Sequence, residues 1–537
     1  MTPSPPVSPS PWAPLAIRIF RWLWIAGLVS NVGTFMHNVG AAWLMTDLTR
    51  SPTLISLLQT VYAAPGFLLA LFAGALADVM DRRLMLLITQ SMMLAVAAAL
   101  GVLTLTDRVT TTWLLVLTFL LSVGGTLNMP AWTSLTPELV GRELLTPAVA
   151  LNSIEMNIAQ SIGPAIAGVI IAASGPGAVF VINAVSFLGV VIVVACWKRD
   201  APQTTLPAEH LASAMRTGLR YIRHSPDLLR LLARLGLFVL FSSSLSALLP
   251  VVARDRLNLT AGGFGLLSAA LGVGAVATAS VLPRVRTRFG ADRSMLIGSV
   301  LYGFALVIVS QATNLGVACL GLLLAGGGSI IAMTTAFATF QGVLPAWVRG
   351  RGLSVAMLVV WLVTSPAAYA WGVIATNAGV DKALLIAGIG SAIVAVVALG
   401  LLSINGMDDV DITPVPLAMP TVALEPAPSD GPVLVTVEWR IDPARAEEFA
   451  DAMAAVRRLR RRDGAMTWGL FHDLADPGRM LESFSVASWA EHERQHGRST
   501  AGDLEAEGAA RSMLVGEGPT VTHLVGAHRS GGGPAAV

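Results

Sequence analysis

Charged side chains are scarce in this chain. Asp, Glu, Lys and Arg make up 13% of its 537 residues, whereas they make up about 25% of a soluble domain. Hydrophobic residues account for 54% of the chain, and its mean hydropathy is +0.69. Since a soluble fold could not bury so much apolar surface, most of the chain is expected to lie in a membrane. The formal net charge of +2 gives no indication of nucleic-acid binding.

Other absences narrow the function further. The chain has two cysteines, Cys196 and Cys319, both in or beside long apolar runs, so no disulfide framework is expected. The nucleotide-binding pattern G-x-x-x-x-G-K-[ST] is missing, which argues against ATP hydrolysis as an energy source. The first apolar run is too long for a cleavable signal peptide. Residues 1–16 are rich in Pro and Ser and are predicted to be disordered.

Long apolar runs dominate the first three quarters of the sequence. A bilayer-spanning helix needs about 20 apolar residues, and lipid leaves the backbone no other way to satisfy its hydrogen bonds. Twelve runs reach or approach this length, and we predict each to be a transmembrane helix. They are residues 20–46, 53–76, 84–106, 112–136, 146–173, 177–197, 229–252, 262–283, 294–311, 315–340, 352–377 and 382–403.

Arginine and lysine are distributed unevenly between the two sets of loops. If the N-terminus is cytoplasmic and the helices alternate, eighteen of these residues lie at inner loops and helix ends and five at outer ones. Cytoplasmic loops of membrane proteins carry such an excess of positive charge. Both termini are therefore predicted to face the cytoplasm.

A basic loop divides the predicted helices into two sets of six. The N-terminal half covers residues 17–197, the inter-half loop 198–228 and the C-terminal half 229–403. Two six-helix repeats around a central cavity are typical of transporters. The loop is predicted to contain an amphipathic helix that lies on the inner membrane surface, or alternatively a solvated linker helix. Its apolar face has Leu211, Met215, Leu219 and Ile222, and its basic face has Arg216, Arg220 and Arg223.

The composition changes after Ser403. Residues 404–432 contain six prolines and are predicted to be a linker, 433–528 a cytoplasmic α+β domain, and 529–537 a flexible tail. The predicted elements are strand 433–441, helix 442–464, a hairpin formed by 465–474 and 479–488, a helix from about Trp489 and strand 519–528. This β-α-β-β-α-β order is ferredoxin-like. The predicted fold is thus an all-α polytopic membrane protein with a C-terminal α+β domain.

The stretch GALADVMDRR, residues 74–83, lies between the second and third predicted helices. It resembles the loop signature of the major facilitator superfamily, G-x-x-x-D-x-x-x-R-R. In that superfamily the motif is a latch that helps to hold the inner gate shut. The resemblance assigns this role to Gly74, Asp78, Arg82 and Arg83, with Asp78 near the start of the eleventh predicted helix. A plain positive-inside turn is the alternative.

The resemblance to the superfamily covers residues 15–403, and the chain more specifically resembles the enterobactin-exporter branch. The stretches that carry it are ALNSIEMNIAQSIGPAIAGVIIAASGPGAVFVINAVSFLG at 150–189 and SWAEHERQHGRSTAGD at 488–503. Members of the branch with a tail end in a domain that resembles antibiotic-biosynthesis monooxygenases. That second resemblance implies a two-fold dimer of barrel form, in which two sheets meet face to face.

A second motif, SIGPAIAG at 161–168, is similar to the fifth-helix signature of exporting antiporters, G-P-x-x-G-G. Gly163, Pro164 and Gly168 match the signature, while Ala167 replaces one of its glycines. Small residues at every fourth position let another helix approach closely. A generic packing face explains the same residues without implying a direction of transport.

Polar residues inside the predicted spans are few, and each is a hypothesis about function. Glu155 is the candidate proton-coupling carboxylate, with a merely wetted position near the inner mouth as the alternative. The candidate substrate-cavity residues are Asn31, His37, Asn38, Trp132, Gln341 and Trp361. These side chains could equally form hydrogen bonds between helices or anchor the protein at the membrane interface.

Residues 492–496 read HERQH and match the zinc-protease pattern H-E-x-x-H. The two histidines share one helix face, but the small domain leaves little room for a protease cleft. A third ligand from His523 or His528 would require a coincidence of the fold. We therefore predict no metal site.

Taken together, these features predict a secondary exporter of the bacterial inner membrane, most simply a proton antiporter for a siderophore, drug-like metabolite or other amphiphile. The expected partners are that substrate, protons, the lipid bilayer and a second copy of the tail, with no nucleic acid and no cofactor. The substrate class rests on the resemblance. Two alternatives remain: a transporter with an enzymatically active monooxygenase-like tail, and a ligand-sensing protein whose tail gates the helices.

Overall fold

A computed structural model describes residues 10–141, 143–197, 218–407, 411–415, 417, 422–516 and 518–527. Within them are twelve helices long and apolar enough to cross a membrane, which confirms the twelve predicted spans. They are α1 Arg18–Leu48, α2 Pro52–Val79, α3 Arg82–Leu105, α4 Thr111–Val140, α5 Leu145–Ser174, α6 Pro176–Cys196, α7 Pro226–Val251, α8 Ala261–Ala279, α9 Leu282–Gln311, α10 Leu315–Val343, α11 Ala346–Ala378 and α12 Val380–Leu401.

Two local predictions need correction. Within 1–16, which was predicted to be disordered, Ala13–Ala16 form a 3-10 turn and Pro14 is buried. Residues 284–293, which lie between the eighth and ninth predicted helices, are helical and belong to α9. Gly290 interrupts that helix with φ of 69° and ψ of 175°, a conformation that glycine adopts without steric cost.

The chain forms two compact units. The first contains residues up to 208, 233–336 and 357–403, and thus most of the helical bundle. In it α1 packs on α5 and α6, α3 on α4 and α6, α2 on α4, α5 on α8, and α9 on α12. Its helices pack through buried apolar residues such as Met45, Leu100, Leu114 and Phe180.

The second unit contains residues 209–232, 337–356 and everything after 403. Its described part includes a short helical segment at 218–223, the N-terminal end of α11 and the tail. The predicted amphipathic helix is therefore seen only from residue 218 onward. Leu211, Met215 and Arg216 lie outside the described residues.

The tail contains a four-stranded antiparallel sheet in the order β2-β3-β1-β4. The strands are β1 Val433–Arg440, β2 Thr467–His472, β3 Arg479–Val486 and β4 Thr520–Val525. Helix α13 spans Ala446–Asp463. Where one helix was predicted from Trp489, the structure has two, α14 Trp489–His496 and α15 Ala501–Arg511. A capping box formed by Thr500 and Asp503 begins α15.

One face of the sheet forms the core of the tail. Val433, Val435, Val437 and Trp439 alternate along β1 and are buried against apolar residues of α13. The carboxylate of Glu482 is fully buried among them. It accepts hydrogen bonds from Trp439 Nε1 at 3.3 Å, Trp468 Nε1 at 3.0 Å and Arg460 Nε at 3.1 Å. Because the Glu482 carboxylate accepts hydrogen bonds from all three donors, it stabilises the core and does not form a reactive site.

Candidate transport site and gates

Glu155 is buried in α5 and faces α1. Its side chain is 2% exposed, and its Oε1 accepts a hydrogen bond of 2.7 Å from Asn31 Nδ2. Gly27, one turn before Asn31, makes room for the carboxylate. A Cβ atom on Gly27 would lie 2.7 Å from Glu155 Oε1 and 3.0 Å from the Trp132 ring. Asn31 and Trp132, two of the predicted substrate-cavity residues, therefore lie beside Glu155, the predicted proton-coupling residue.

A recess adjoins this carboxylate. It is lined by Phe20, Leu23, Trp24, Trp132, Leu135, Thr136, Leu139, Asn152 and Glu155, which come from α1, α4 and α5. Two hydrogen bonds shape its walls, from Trp24 Nε1 to Leu151 O at 3.1 Å and from Asn152 Nδ2 to Thr136 Oγ1 at 3.1 Å. Three aromatic rings, one acid and one amide are therefore among the groups that line the recess. Trp24 and Asn152 were missed because a lone Trp or Asn carries no periodic signal.

The other proposed cavity residues do not gather around Glu155. His37 is buried against α6, with its ring centroid 4.7 Å from that of Phe180, and neither ring nitrogen has a hydrogen-bond partner. Asn38 is half-buried. Trp361 of α11 fills the space over Gly66, where a Cβ atom would lie 2.7 Å from its ring. Gln341 is exposed and belongs to the second unit.

The two arginines of the motif at 74–83 tie three helix ends together. Arg82 Nη1 donates to Ser134 O and to Glu138 Oε2 of α4, both at 3.1 Å. Arg83 donates to the last carbonyls of α6, from Nε to Val194 O at 3.0 Å and from Nη2 to Ala195 O at 2.7 Å. A cation at a helix C-terminus also stabilises the helix dipole. Glu138 is a partner that the sequence motif did not reveal.

Gly74 lies within α2, and the side chain of Asp78 lies outside the described residues. The predicted pairing of Asp78 with the start of the eleventh helix therefore stays a prediction. Asp81, three residues later, caps α3 by accepting a 2.9 Å hydrogen bond from Leu84 N.

The antiporter-like motif lies at helix crossings. Gly168 of α5 meets Gly265 of α8, where a Cβ atom on Gly168 would lie 2.9 Å from the Gly265 Cα. Gly163 faces α1, and a Cβ atom there would lie 2.8 Å from the Phe35 Cβ. Pro164 is buried within α5. The small-residue face thus brings α5 of the first half against α8 of the second at backbone distance.

The α2–α11 crossing also joins the two halves. Ser365 Oγ donates to Thr60 O at 3.1 Å, and the hydroxyls of Thr53 and Thr376 lie 2.7 Å apart. These contacts, like the one between Gly168 and Gly265, involve the end of the bundle where α1 ends and α2 begins. We call this the α1–α2 end.

Arg254 adds a polar contact at the α1–α2 end. Its guanidinium hydrogen-bonds Thr46 Oγ1 at 3.2 Å, pairs with Asp47 and lies 5.3 Å from the centre of the Trp43 ring. The Trp43 ring in turn stacks on Phe264 of α8 at 5.8 Å. In the sequence, Arg254 is one of the five cations at the outer loops. Its pairing with Asp47 was not predicted, because two residues 207 positions apart leave no local pattern.

A buried ion pair in the second half was also missed. Arg234 of α7 and Asp292 of α9 are each at most 5% exposed and pair directly, and Arg234 Nη2 donates to Asp292 O at 3.0 Å. Ser403 Oγ donates to Asp292 Oδ2 at 3.0 Å. In the sequence, Arg234 is one of the eighteen cations at inner loops and helix ends. That count gives no indication of its partner Asp292, which is 58 positions away.

In the second unit, the tail contacts the segment 218–223 and the start of α11. Glu491 Oε1 accepts from Arg220 Nη2 at 3.3 Å and from Arg498 Nη1 at 2.8 Å. The Arg498 guanidinium lies 4.4 Å from the Trp347 ring centre, and Trp347 meets Tyr221 edge to face at 5.6 Å. Burial raises the pKa of Tyr221 to about 12 and lowers that of Arg220.

Three histidines of the tail also come together. His492 and His496 of α14 and His523 of β4 place one ring nitrogen each within 4.8 Å of one another. Burial lowers the pKa of His492 to about 4, and repulsion from His496 and His523 adds to the effect. Burial also lowers the pKa of His523. From the sequence, His523 is expected to supply a third ligand only by coincidence of the fold. The structure places His523 beside the other two histidines.

The tail places Glu493, the glutamate of the H-E-x-x-H pattern, at the surface. Its Oε1 accepts a 3.1 Å hydrogen bond from Trp489 Nε1 one turn earlier. An exposed carboxylate held by an indole is not positioned as the general base of a metalloprotease.

The similarities of this chain to known proteins agree with the twelve-helix membrane bundle. The family model described as transmembrane secretion effector matches residues 9–531. The staphyloferrin A transporter of Staphylococcus aureus (strain NCTC 8325 / PS 47) is 25% identical over 340 residues, which are 63% of this chain and 85% of that protein. The enterobactin exporter EntS of Shigella boydii serotype 4 (strain Sb227) is 26% identical over 339 residues, 62% of this chain and 79% of its own.

Solved structures show the same fold at lower identity. A POT family transporter in complex with a thioalcohol-conjugated peptide aligns with a TM-score of 0.58 and 12% identity over 71% of this chain and 95% of that one. A bacterial homologue of the human lysosomal transporter Spinster aligns with a TM-score of 0.56 and 14% identity over 72% and 95%. The chain therefore belongs to the transmembrane secretion effector family of major facilitator superfamily transporters and is a multi-pass inner-membrane protein.

Proposed function

We propose that the protein is a proton-coupled exporter of an amphiphilic small molecule, with both termini in the cytoplasm. The observation that carries the proposal is the hydrogen bond between the buried Glu155 carboxylate and Asn31 beside a partly aromatic recess. An ionisable group within a membrane helix is costly and usually serves function. Siderophore transport by relatives and multidrug efflux by the 26% identical pump Tap of Mycolicibacterium fortuitum support this substrate class.

Glu155 can couple the two fluxes because it adjoins the space that a substrate would occupy. The Asn31 amide donates to the Glu155 carboxylate, and this hydrogen bond would stabilise the charge of the ionised form. A substrate that donates a hydrogen bond or carries a positive charge would bind that ionised form, whereas protonation of Glu155 removes the charge and weakens such binding. Exclusive occupancy by proton or substrate is the property that an antiporter requires.

Alternating access would use the two crossings that join the halves. In the proposed orientation the α1–α2 end faces the periplasm, and the contacts of Arg254, Thr53 and Gly168 close it. The arginines of the 74–83 motif lie at the opposite end, where the latch would form when the cytoplasmic side closes. Helices that meet through glycine and hydroxyl side chains can rock with little steric cost.

The experiment is substrate uptake into everted vesicles driven by a pH gradient. The substrate comes from a metabolite panel screened for accumulation in a deletion strain, with siderophores and amphiphilic drugs in the panel. Glu155→Gln is expected to abolish gradient-driven uptake while substrate binding persists. Glu143→Gln, at an exposed glutamate just before α5, is the matched control and keeps wild-type uptake. Unchanged pH dependence in Glu155→Gln would assign the coupling to another residue.

A second function for the tail is favoured by its contacts in the second unit. We propose that the tail regulates the transporter by holding segment 218–223 and the start of α11 through Glu491, Arg498 and Trp347. Segment 218–223 continues the loop that connects the two halves, so its position bears on their movement. Removal of residues 433–537 tests the idea. A changed rate at unchanged coupling supports regulation, and unaltered export makes the tail accessory.

The strand order of the tail is compatible with a ferredoxin-like domain that dimerises through its sheet. The face opposite the core exposes Leu434 and Leu524 beside each other, with Thr436 and Thr522 next along the strands. Light scattering of the detergent-solubilised protein should give a dimer mass that Leu434→Glu reduces to a monomer. A monomeric wild-type protein would contradict this arrangement and with it the resemblance to dimeric monooxygenases.

A further inference from the structure

We propose that His492, His496 and His523 bind one divalent first-row transition-metal ion in the tail. Nothing in the export mechanism requires this site. The three residues come from two elements, because α14 supplies two histidines one turn apart and β4 supplies the third. In the sheet, His523 pairs with Val435, so its position is on the core face, where α14 lies.

The distances suit a metal. His492 Nε2 and His496 Nε2 lie 3.2 Å apart, and the ligand atoms of all three residues lie within 4.8 Å of one another. Nitrogen ligands of a tetrahedral zinc ion at about 2.0–2.1 Å from the metal lie about 3.3 Å apart. One pair is already at that separation, and metal binding would require the His523 nitrogen, within 4.8 Å of the others, to move closer.

The hydrogen bonds around the rings also indicate a ligand. His492 Nδ1 lies 3.4 Å from the Gln495 side-chain oxygen, an acceptor that directs the proton to Nδ1 and leaves Nε2 with a free lone pair. His496 Nδ1 is buried without a hydrogen-bond partner. Without a metal, one of the two Nε2 atoms can donate to the other across 3.2 Å, and His496 Nδ1 remains a buried polar atom without a hydrogen-bond partner. A metal ion would bind the lone pairs of both Nε2 atoms in place of that single hydrogen bond.

The chemistry of the donors sets the class of metal. Three imidazoles select zinc, cobalt, nickel, copper or ferrous iron over magnesium and calcium, which prefer oxygen ligands. Three protein ligands leave one tetrahedral position for water or an exogenous ligand. Glu493 is exposed and bonded to Trp489, so it does not occupy that position.

The ion would connect α14 to β4 directly. Glu491, which pairs with Arg220 and Arg498, immediately precedes His492 on the same helix. Metal binding would therefore stabilise the helix that contacts segment 218–223. Its first effect is on the stability of the tail, which can be measured without a transport assay.

The test uses the full-length protein in detergent, purified without a polyhistidine tag. After treatment with a chelator and dialysis, it is titrated with Zn²⁺ and separately with Co²⁺, whose visible spectrum reports tetrahedral coordination. The expected result is one ion per chain at micromolar or tighter affinity and a higher melting temperature of the tail. His523→Asn and His496→Asn should each weaken binding at least tenfold.

The matched control is His472→Asn, which changes an exposed histidine at the end of β2 and should bind like wild type. Far-ultraviolet circular dichroism and gel filtration establish that each variant is folded. Wild-type protein that holds no ion after dialysis and gives no cobalt spectrum would overturn the proposal. Equal loss of binding in His472→Asn would overturn it as well. Transport can fail in Glu155→Gln with the metal site intact, so the two proposals fail separately.

Discussion

The membrane bundle and the tail differ in how completely their buried polar groups are hydrogen-bonded. In the tail, Glu482 is fully buried and accepts from three side chains, and Arg460 pairs with both Glu482 and Glu507. In the first unit, His37 is buried with both ring nitrogens unpartnered, while Glu155 is held by an amide next to a recess. Paired groups stabilise a core, whereas incompletely paired groups beside a cavity are available to a substrate or proton.

Each region also contains buried polar groups of the opposite kind. Arg234 and Asp292 form a paired, buried network within the bundle, and the three histidines form an incompletely satisfied cluster within the tail. The buried pair in the bundle is structural, and its removal should destabilise the protein, while the histidine cluster in the tail is the proposed metal site.

The largest effect is expected from Gly168→Leu at the α5–α8 crossing. A Cβ atom there would already lie 2.9 Å from the Gly265 backbone, so a leucine must push the helices apart. Overpacking of this kind costs about 1–3 kcal/mol and should abolish export. Gly125→Leu is the matched control, because no atom beyond its own turn of helix lies within 4 Å of its added Cβ. Export by Gly168→Leu at the wild-type rate would show that the halves do not meet there.

Asp78→Asn should lower export several-fold without unfolding the protein. The proposed latch needs a carboxylate near helix N-termini, and an amide supports such a contact more weakly. Melting temperature and export rate are measured together. Asp107→Asn, at an exposed loop residue with φ of 54° that asparagine also tolerates, should leave both unchanged. If Asp78→Asn exports at the wild-type rate, the motif at 74–83 is a plain positive-inside turn rather than a latch.

A smaller effect is expected from Arg254→Gln at the α1–α2 end. Its pairing with Asp47 is partly exposed and is worth no more than about 1 kcal/mol, so closure should weaken about fivefold at most. A cysteine at Thr53 should react faster with an impermeant maleimide in this variant. Arg50→Gln, at an exposed neighbouring arginine, should not change the labelling rate. Slower labelling in Arg254→Gln would contradict a closing role.

The smallest effect is expected from Glu491→Gln in the tail. The substitution removes the charge that pairs with Arg220 and Arg498, and export should change by only about twofold because the amide oxygen of Gln can still accept hydrogen bonds from both arginines. Glu505→Gln, at an exposed position in α15, is the control. A Glu491→Gln protein whose export matches that of Glu505→Gln would make the tail contact irrelevant to transport.

The sequence was sufficient for features set by local composition. Twelve spans follow from apolar runs, and the order of strands and helices in the tail follows from alternation and turn residues. Asn31 and Glu155 could each be identified as candidates because polar residues in the predicted spans are so few, whereas the hydrogen bond between them was not predicted. What could not be predicted are partners far apart in the chain, such as Arg254 with Asp47, Arg234 with Asp292, and His523 with His492. Periodicity identifies the face of one helix but not the helix opposite.

The central claim is that Glu155 carries the coupled proton, and proteoliposomes test it most directly. Substrate accumulation driven by a pH gradient is measured beside substrate counterflow, which exchanges labelled for unlabelled substrate without net proton movement. The account predicts that Glu155→Gln loses gradient-driven accumulation but keeps counterflow, because the amide preserves the recess and cannot release a proton. Accumulation at the wild-type level in Glu155→Gln would contradict the account, as would equal loss of both activities in a folded protein.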